Sequence, residues 1–466
     1  MKLLQMVMLL LLVVTTAVAR PVGESEVPDI GADDAPAHAG KARVDAKDAG
    51  MEAPRVDVDK PVQLVPLYLR DKRIHGLTPF QELVDAAPAG STLRPKPGLY
   101  AGPVHLTKPL IIDGGGKVTI DGGDMSTVFV IDTNDATLRG LHLRGSGSSH
   151  DTDDACLNVR GHRNLVESLV IDDCLFGIDL KQSNNNIVRN NTIKSKPLEL
   201  GVRGDAIRLW YSMDNRIEGN DIADSRDTVA WYSNGNLFRK NRAVRSRYSL
   251  HFMFAGHNVV DGNYYYDNSV GINLMYTDNM ELRNNVISHA TGSAGVGIGF
   301  KESSGAIVEN NEIIYCGTGI TLDLSPFQPN TTVLTQGNLI AYNAIGVMFS
   351  SDRDGSIFKR NSFKGNLTDV AVGGAGSSGR NEWRGNYWDD YQGFDRNNDG
   401  IGDTAHDLYA YADRIWMDIP QARFFKSAPA LEVLDFLERL APFSSPILLL
   451  SDKEPLFNDP WKKAKK

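Results

Sequence analysis

Cysteine is scarce in this chain: Cys156, Cys174 and Cys316 are the only three in 466 residues. They form no CxxC pair and no zinc-finger spacing, which excludes a zinc module and a disulfide-dense scaffold. One disulfide is chemically allowed, and the spacing leaves its partners open. Basic charge is also in short supply. A formal net charge of -9 offers no Lys/Arg surplus to neutralise phosphates, so nucleic acid is excluded as a partner. Long apolar runs are missing too, except at the start. Leu3 to Val14 is almost wholly apolar behind Lys2, but it is shorter than the ~20 residues a membrane helix needs. Ala17-Val18-Ala19 follows as a small-x-small signal-peptidase site, so export with cleavage after Ala19 is expected. From Arg20 to Lys60 there is no aromatic residue. Such a segment cannot bury enough apolar surface to offset chain entropy, and it reads as a disordered linker.

What the rest of the chain has is a repeat. An apolar residue, two variable positions and Asn, then one variable and usually one apolar position recur along the chain. Examples are IVRNNTI ending at Ile193, IEGNDI at Ile222, IVENNEI at Ile313 and EWRGNYW at Trp388. The asparagines are Asn191, Asn220, Asn241, Asn263, Asn285, Asn311, Asn338, Asn361 and Asn386, at intervals of 29, 21, 22, 22, 26, 27, 23 and 25. Between them runs a second, alternating motif: GIDLK from Gly177, AIRLW from Ala206, TVAWY from Thr228, SLHFM from Ser249, GINLM from Gly271, GIGFK from Gly297 and GITLD from Gly319. Alternation with period two puts one side of a strand inward and the other outward. Asn and Gly at fixed phase mark tight turns.

A coil this short suits two or three strands separated by turns, and it cannot bury its apolar face alone. Stacking places each inward Ile, Leu or Val on its counterpart about 4.8 Å away. The fold class is therefore all-β, a right-handed parallel β-helix over residues 61–388, and residues 389–466 form a C-terminal extension. The asparagines read as a hydrogen-bonded ladder inside the turns, not as ligand sites. Thr78-Pro79-Phe80-Gln81 looks like a capping box. Phe80, Leu83, Val84 and Ala87 then form the stripe of a short helix that plugs the N-terminal end of the bore. Leu431, Leu434, Leu437 and Leu440 mark a C-terminal helix that either closes the other end or docks on a partner.

Aligned as written, the motif gives two outward columns. The first runs Asp179, Arg208, Ala230, His251, Asn273, Gly299, Thr321, Met348; the second runs Lys181, Trp210, Tyr232, Met253, Met275, Lys301, Asp323, Ser350. Met253 and Met275 then face each other on adjacent coils, with His251 about 6.6 Å along the strand from Met253. Imidazole with two thioethers is a soft set that selects Cu(I). A protein-docking surface including Trp210, Tyr232, Tyr276 and Met348 is the competing reading of the same face. A polysaccharide-cleaving β-helix enzyme is the alternative from another class, with Asp151, Asp153, Asp154, Asp179 and Asp205 as acids. Asp153-Asp154 reads more simply as a solvated pair, and there is no repeated carboxylate row. Near the C-terminus, Asp395, Asn397, Asp399 and Asp403 occupy positions 1, 3, 5 and 9 of an EF-hand-like calcium loop, with Gly400 at 6. Position 12 is His406 in place of Glu.

The chain resembles the NosD family, accessory proteins of nitrous oxide reductase maturation. The resemblance rests on Gly385-Asn386-Tyr387-Trp388-Asp389-Asp390-Tyr391, the Asp395–Asp403 loop, Tyr409-Ala410-Tyr411-Ala412-Asp413-Arg414, and Leu434-Asp435-Phe436-Leu437-Glu438-Arg439-Leu440-Ala441-Pro442. It implies a non-enzymatic periplasmic protein associated with the inner membrane through an ABC transporter, an ATPase plus a permease. It further implies that Cu(I) arrives from a lipoprotein chaperone and leaves to the apo-reductase. His251, Met253 and Met275 match no family motif residue by residue, so they rest on the column alignment.

Overall fold

The computed structural model describes residues 74–461, apart from 293, 352, 375, 412–413, 420–421, 423–427 and 441–445. The expected signal peptide (1–19), the linker (20–60) and the start of the expected β-helix region lie outside the described residues. Among the described residues no helix is long and apolar enough to cross a membrane.

The expected parallel β-helix is present. Twelve parallel strands, from Val104–Leu106 to Val370–Val372, stack in chain order as one broad face. The other face is a continuous 24-stranded sheet in which each later coil contributes two short strands, for example Val259–Asp261 and Tyr264–Tyr266. Each strand pairs with its homologue one coil on, as Tyr265 does with Ile287. The inward Ile, Leu, Val and Phe of all faces form one core running from Phe80 to Trp388 and beyond. No coil is stable alone, because its apolar side is covered only by the coils on either side of it.

The repeated asparagines form the expected ladder. Asn191 Nδ2 donates to Asn220 Oδ1 (2.9 Å), and the pattern repeats through Asn241, Asn263, Asn285, Asn311, Asn338 and Asn361 to Asn386. A second ladder, Asn164–Asn186–Asn215–Asn236–Asn258, lines another turn. The residue before each main-ladder Asn carries the left-handed φ: Asn190 at 54°, Lys240 at 53°, Gly262 at 66° and Arg360 at 55° are examples. The glycines of the GIxL-type motif have a different role from the expected tight turn. Gly297 has ordinary φ, and a Cβ there would lie 2.6 Å from Gly319 O, so close approach of coils selects it.

At the N-terminal end the helix Phe80–Ala86 plugs the bore with Phe80 and Val84, as expected. The capping box is not formed: Pro79 is the N-cap and has no side-chain cap bond. Gln81 instead satisfies the open edge of the first coil, accepting from His105 N (2.7 Å) and donating to His105 O (3.2 Å). An unpaired strand edge competes for the amide because its backbone groups have no coil before them.

The C-terminal helix, Pro429–Leu440, does not close the bore. Leu437 and Leu440 are exposed, together with Val433 and Phe436. Closure falls to Trp383 and Trp388 of the last coil, to Trp416 and Met417 of the helix Arg414–Asp418, and to Leu449 and Leu450 of the strand Ile447–Asp452. That strand pairs antiparallel with His406–Ala410. Cys156 and Cys174 form a disulfide, and Cys316 is a buried free thiol that burial pushes up to about 12.

Candidate metal and docking site

His251, Met253 and Met275 come together on the broad face. Tyr248–Met253 pairs with Val270–Met275 so that His251 lies beside Asn273 and Met253 beside Met275. The imidazole reaches diagonally: His251 Nε2 is 3.1 Å from Met275 Sδ. His251 and Met275 are buried, at 6% and 9% exposed, and Met253 is half-buried. Burial, assisted by the Arg247 cation, pushes the His251 pKa down to about 4. The ring is therefore neutral at physiological pH, the state in which a histidine nitrogen can bind a metal.

Tyr248 holds the ring from the other side, stacked at 4.8 Å between centroids. Behind it runs a charged chain in which Arg247 and Arg226 pair with Asp227 and Asp205. Asp205 is pushed up by burial, and the neighbouring Asp227 charge adds to the shift. Lys301 follows Met275 in the column, and Trp231 precedes Met253. The patch is thus soft at its centre and bounded by an indole and an ammonium.

The column alignment needs one correction. Arg208 pairs with Val229, Leu209 with Ala230 and Trp210 with Trp231, so Val229 and Trp231 occupy the outward columns in place of Ala230 and Tyr232. Ala230 is wholly buried. The register shifts between Asp227 and Val229, where the neighbouring strand carries one extra residue. A one-residue slip exchanges the faces of a strand.

Tyr232 and Tyr276 belong to an aromatic stack in the turn beside the strands. Tyr211, Tyr232, Phe254 and Tyr276 follow each other at 4.8, 5.2 and 4.8 Å with nearly parallel rings. All four have positive φ, from 47° to 55°. Trp210 is half-buried and packs edge-on against Trp231 and Tyr232. Trp210, Tyr232 and Tyr276 therefore share one rim next to the Met–His patch, whereas Met348 does not. It is 5% exposed and belongs to the hydrophobic core. Sequence reading missed Trp231, Tyr211 and Phe254. Their signal was the aromatic at the end of each alternating motif, visible once the slip is corrected.

Four of the five carboxylates considered for polysaccharide cleavage, Asp153, Asp154, Asp179 and Asp205, are engaged. Asp179 is fully buried and accepts from Arg208 Nε (2.9 Å) and Asn158 Nδ2 (2.9 Å), with Lys181 Nζ at 3.4 Å. Burial alone would raise its pKa, but the Arg208 and Lys181 charges outweigh it and hold the carboxyl below the usual range. Asp153 is not a solvated loop acid. It bridges Lys181 (2.7 Å) and Arg208 (2.8 Å), while Asp154 binds Ser149 N and Thr152 Oγ1. A carboxylate saturated by two cations is a poor general base.

In the candidate calcium loop the carboxylates turn toward backbone amides. Asp395 accepts from Asp399 N and Gly400 N, Asp399 from Ile401 N, and Asp403 from Arg396 N. Among the described residues, the group of acids that converges on one point is elsewhere, at Asp369, Asp389 and Asp390.

Comparison with known proteins gives a consistent relationship. Residues 194–393 match the family model described as NosD, periplasmic copper-binding protein. That span contains His251, Met253 and Met275. A "probable ABC transporter binding protein NosD" of Pseudomonas aeruginosa is 26% identical over 402 residues, covering 77% of this chain and 88% of its own length. A protein of the same description from Stutzerimonas stutzeri is 34% identical over 133 residues, 28% of this chain and 29% of its own. Both are named as binding proteins, in line with the non-enzymatic expectation. Among solved structures, the A-modules of Azotobacter vinelandii mannuronan C-5 epimerases AlgE6 and AlgE4 align with TM-scores of 0.52 and 0.50 at 17% identity. Each alignment covers 64% of this chain, with 92% and 93% of the respective modules. That likeness is one of fold.

Proposed function

We propose that this NosD-like chain is a periplasmic copper-transfer protein working with an ABC transporter. In this reading it receives Cu(I) from a lipoprotein chaperone and passes it to apo nitrous oxide reductase. The observation that carries the reading is the 3.1 Å approach of His251 Nε2 to Met275 Sδ, with Met253 on the adjoining coil. A neutral imidazole and two thioethers are soft, uncharged donors that favour Cu(I) over Zn2+, Ca2+ or Mg2+. Methionine has three rotatable torsions, so Met275 can swing aside to admit the ion without moving the coil. Two thioethers also hold copper less permanently than thiolates would, which suits transfer. The aromatic rim of Trp210, Tyr232 and Tyr276 flanks the patch and supplies apolar surface for the partner that takes the ion. The transporter association draws support from the printed names of the P. aeruginosa and S. stutzeri relatives.

The test is anaerobic Cu(I) titration against a competing chelator. One equivalent should bind, with affinity reduced at least tenfold in His251→Ala and in Met253→Ala/Met275→Ala. Equal affinity in the variants and the parent would remove these residues from the site.

A further inference from the structure

Tyr248 and His251 are three residues apart on one strand, yet their rings stack at 4.8 Å with 27° between the planes. In a regular strand, positions i and i+3 point to opposite faces. The pairing with the preceding coil accounts for the exception. Asp227 lies beside Tyr248 and Val229 beside His251, so Ser249 and Leu250 together oppose Thr228 alone. The extra residue is a bulge, and a bulge re-aims the side chains next to it. Here it brings Tyr248 to the outward face on which His251 stands. Ser249 and Leu250 are buried, and the Ser249 hydroxyl donates to Val270 O (3.3 Å).

Tyr248 is itself fixed from behind. Its N–H donates to Asp227 Oδ1 (3.0 Å), and the Arg247 guanidinium lies over its ring, 5.0 Å from the centroid. Arg247 Nε donates to the same Asp227 oxygen (3.1 Å). Asp227 and Tyr248 are both buried. The imidazole therefore rests against a wall that the bulge and the Asp227–Arg247 pair hold in place. The sulfur side of the patch is looser. Methionine is unbranched with three rotatable bonds, and Met253 is only half-buried. His251 Nε2 and Met275 Sδ are 3.1 Å apart. An ion about 2.0 Å from nitrogen and about 2.3 Å from sulfur holds those atoms roughly 3.5 Å or more apart at tetrahedral or wider angles. One of the two groups must move when the ion enters, and the ring is the one that is held.

We propose that Tyr248 is the positioning residue of the copper site, holding the His251 imidazole as its fixed donor while Met253 and Met275 are the donors that move. This inference rests on the copper function proposed above and deepens it. One fixed nitrogen with two movable sulfurs gives exchange an order. An incoming soft donor displaces a thioether first, and the imidazole keeps hold of the ion until last.

The experiment uses the full-length protein. Tyr248→Leu keeps an apolar side chain and loses the stack, and it should weaken Cu(I) binding about tenfold, as loss of a group that orients a metal ligand does. Tyr248→Phe, which keeps the ring, should restore parental affinity. NMR of the copper-free protein reads the clamp without the metal. The His251 ring should give one sharp set of signals in the parent and in Tyr248→Phe, and broadened or multiple sets in Tyr248→Leu. On adding Cu(I) to the parent, the Met253 and Met275 methyl signals should shift while the ring keeps its contacts to Tyr248. The proposal is overturned if Tyr248→Leu leaves the ring signals unchanged, or binds like the parent although His251→Ala does not. It is also overturned if Tyr248→Phe is as weak as Tyr248→Leu, or if the ring leaves Tyr248 when copper binds. Failure of the copper function itself looks different: His251→Ala then binds Cu(I) like the parent, while the copper-free ring signals still respond to Tyr248→Leu.

Discussion

Asn386 and Asp452 end the asparagine ladder: Asn386 Nδ2 donates to Asp452 Oδ2 at 3.0 Å. Every earlier rung is an amide receiving what the amide before it donates, and a ladder of amides has no natural end. The same carboxylate also accepts from Asn386 N (2.9 Å) and Trp388 Nε1 (3.2 Å). Asp452 is fully buried, and Gly385 N donates to its other oxygen. Asp452→Ala should cost about 2 to 4 kcal/mol, because it strands several buried donors at once. Chemical denaturation should read this as a lower midpoint, and hydrogen exchange should accelerate at Asn361 and Asn386 before it does at Asn191. Uniform acceleration along the ladder would argue that Asp452 is not a local cap.

The buried His251 makes stability pH-dependent in a defined window. Its folded pKa of about 4 lies below the ordinary histidine value of 6.5. Between those values the unfolded chain binds a proton that the folded chain refuses, so stability falls as pH drops from 6.5 toward 4 and this contribution is flat above 6.5. His251→Gln should flatten the thermal-melt profile in that window relative to the parent. Copper affinity should change little from pH 8 to 5, since no proton has to leave the ring. A tenfold loss of Cu(I) affinity between pH 7 and 6 would contradict the buried neutral ring.

Asp179 and Arg208 are a structural pair. Asp179→Asn should destabilise the protein by about 3 kcal/mol, because Arg208 loses the fully buried one of its two counter-ions and keeps only Asp153. Restoring packing with Asp179→Leu/Arg208→Met should recover much of that loss. The folded Asp179 pKa is depressed, so its contribution is present above the unfolded value near 3.8 and disappears as pH falls below it. A double variant no more stable than Asp179→Asn would show that the pair is not simply a charge compensating a charge.

The Cys156–Cys174 disulfide spans 18 residues. By chain entropy such a loop contributes about 3 kcal/mol, so reductant should lower Tm without unfolding the protein at room temperature. Cys316, buried in the core, should resist alkylation in the folded state under the same conditions. Loss of cooperative unfolding on reduction would mean that the disulfide, not coil stacking, organises the early coils.

The asparagine interval and the two-residue alternation determined the solenoid, the ladder and the approximate facing of His251, Met253 and Met275. These follow from local periodicity, because a coil's residues meet their counterparts one repeat away. Three outcomes depended on contacts between distant segments. The Ala230 slip arises from one extra residue in the neighbouring strand, which no pattern within TVAWY announces. Met348 occupies an outward position by register and is nevertheless buried, at 5% exposed. Asp390 and His406 are 16 residues apart, beyond the last repeat. His406 Nε2 comes within 3.7 Å of Asp390 Oδ1 because the strand His406–Ala410 lies against Trp388 of the last coil. Period specifies neighbours one coil away. What closes the end of the stack is decided by the segment that has no period.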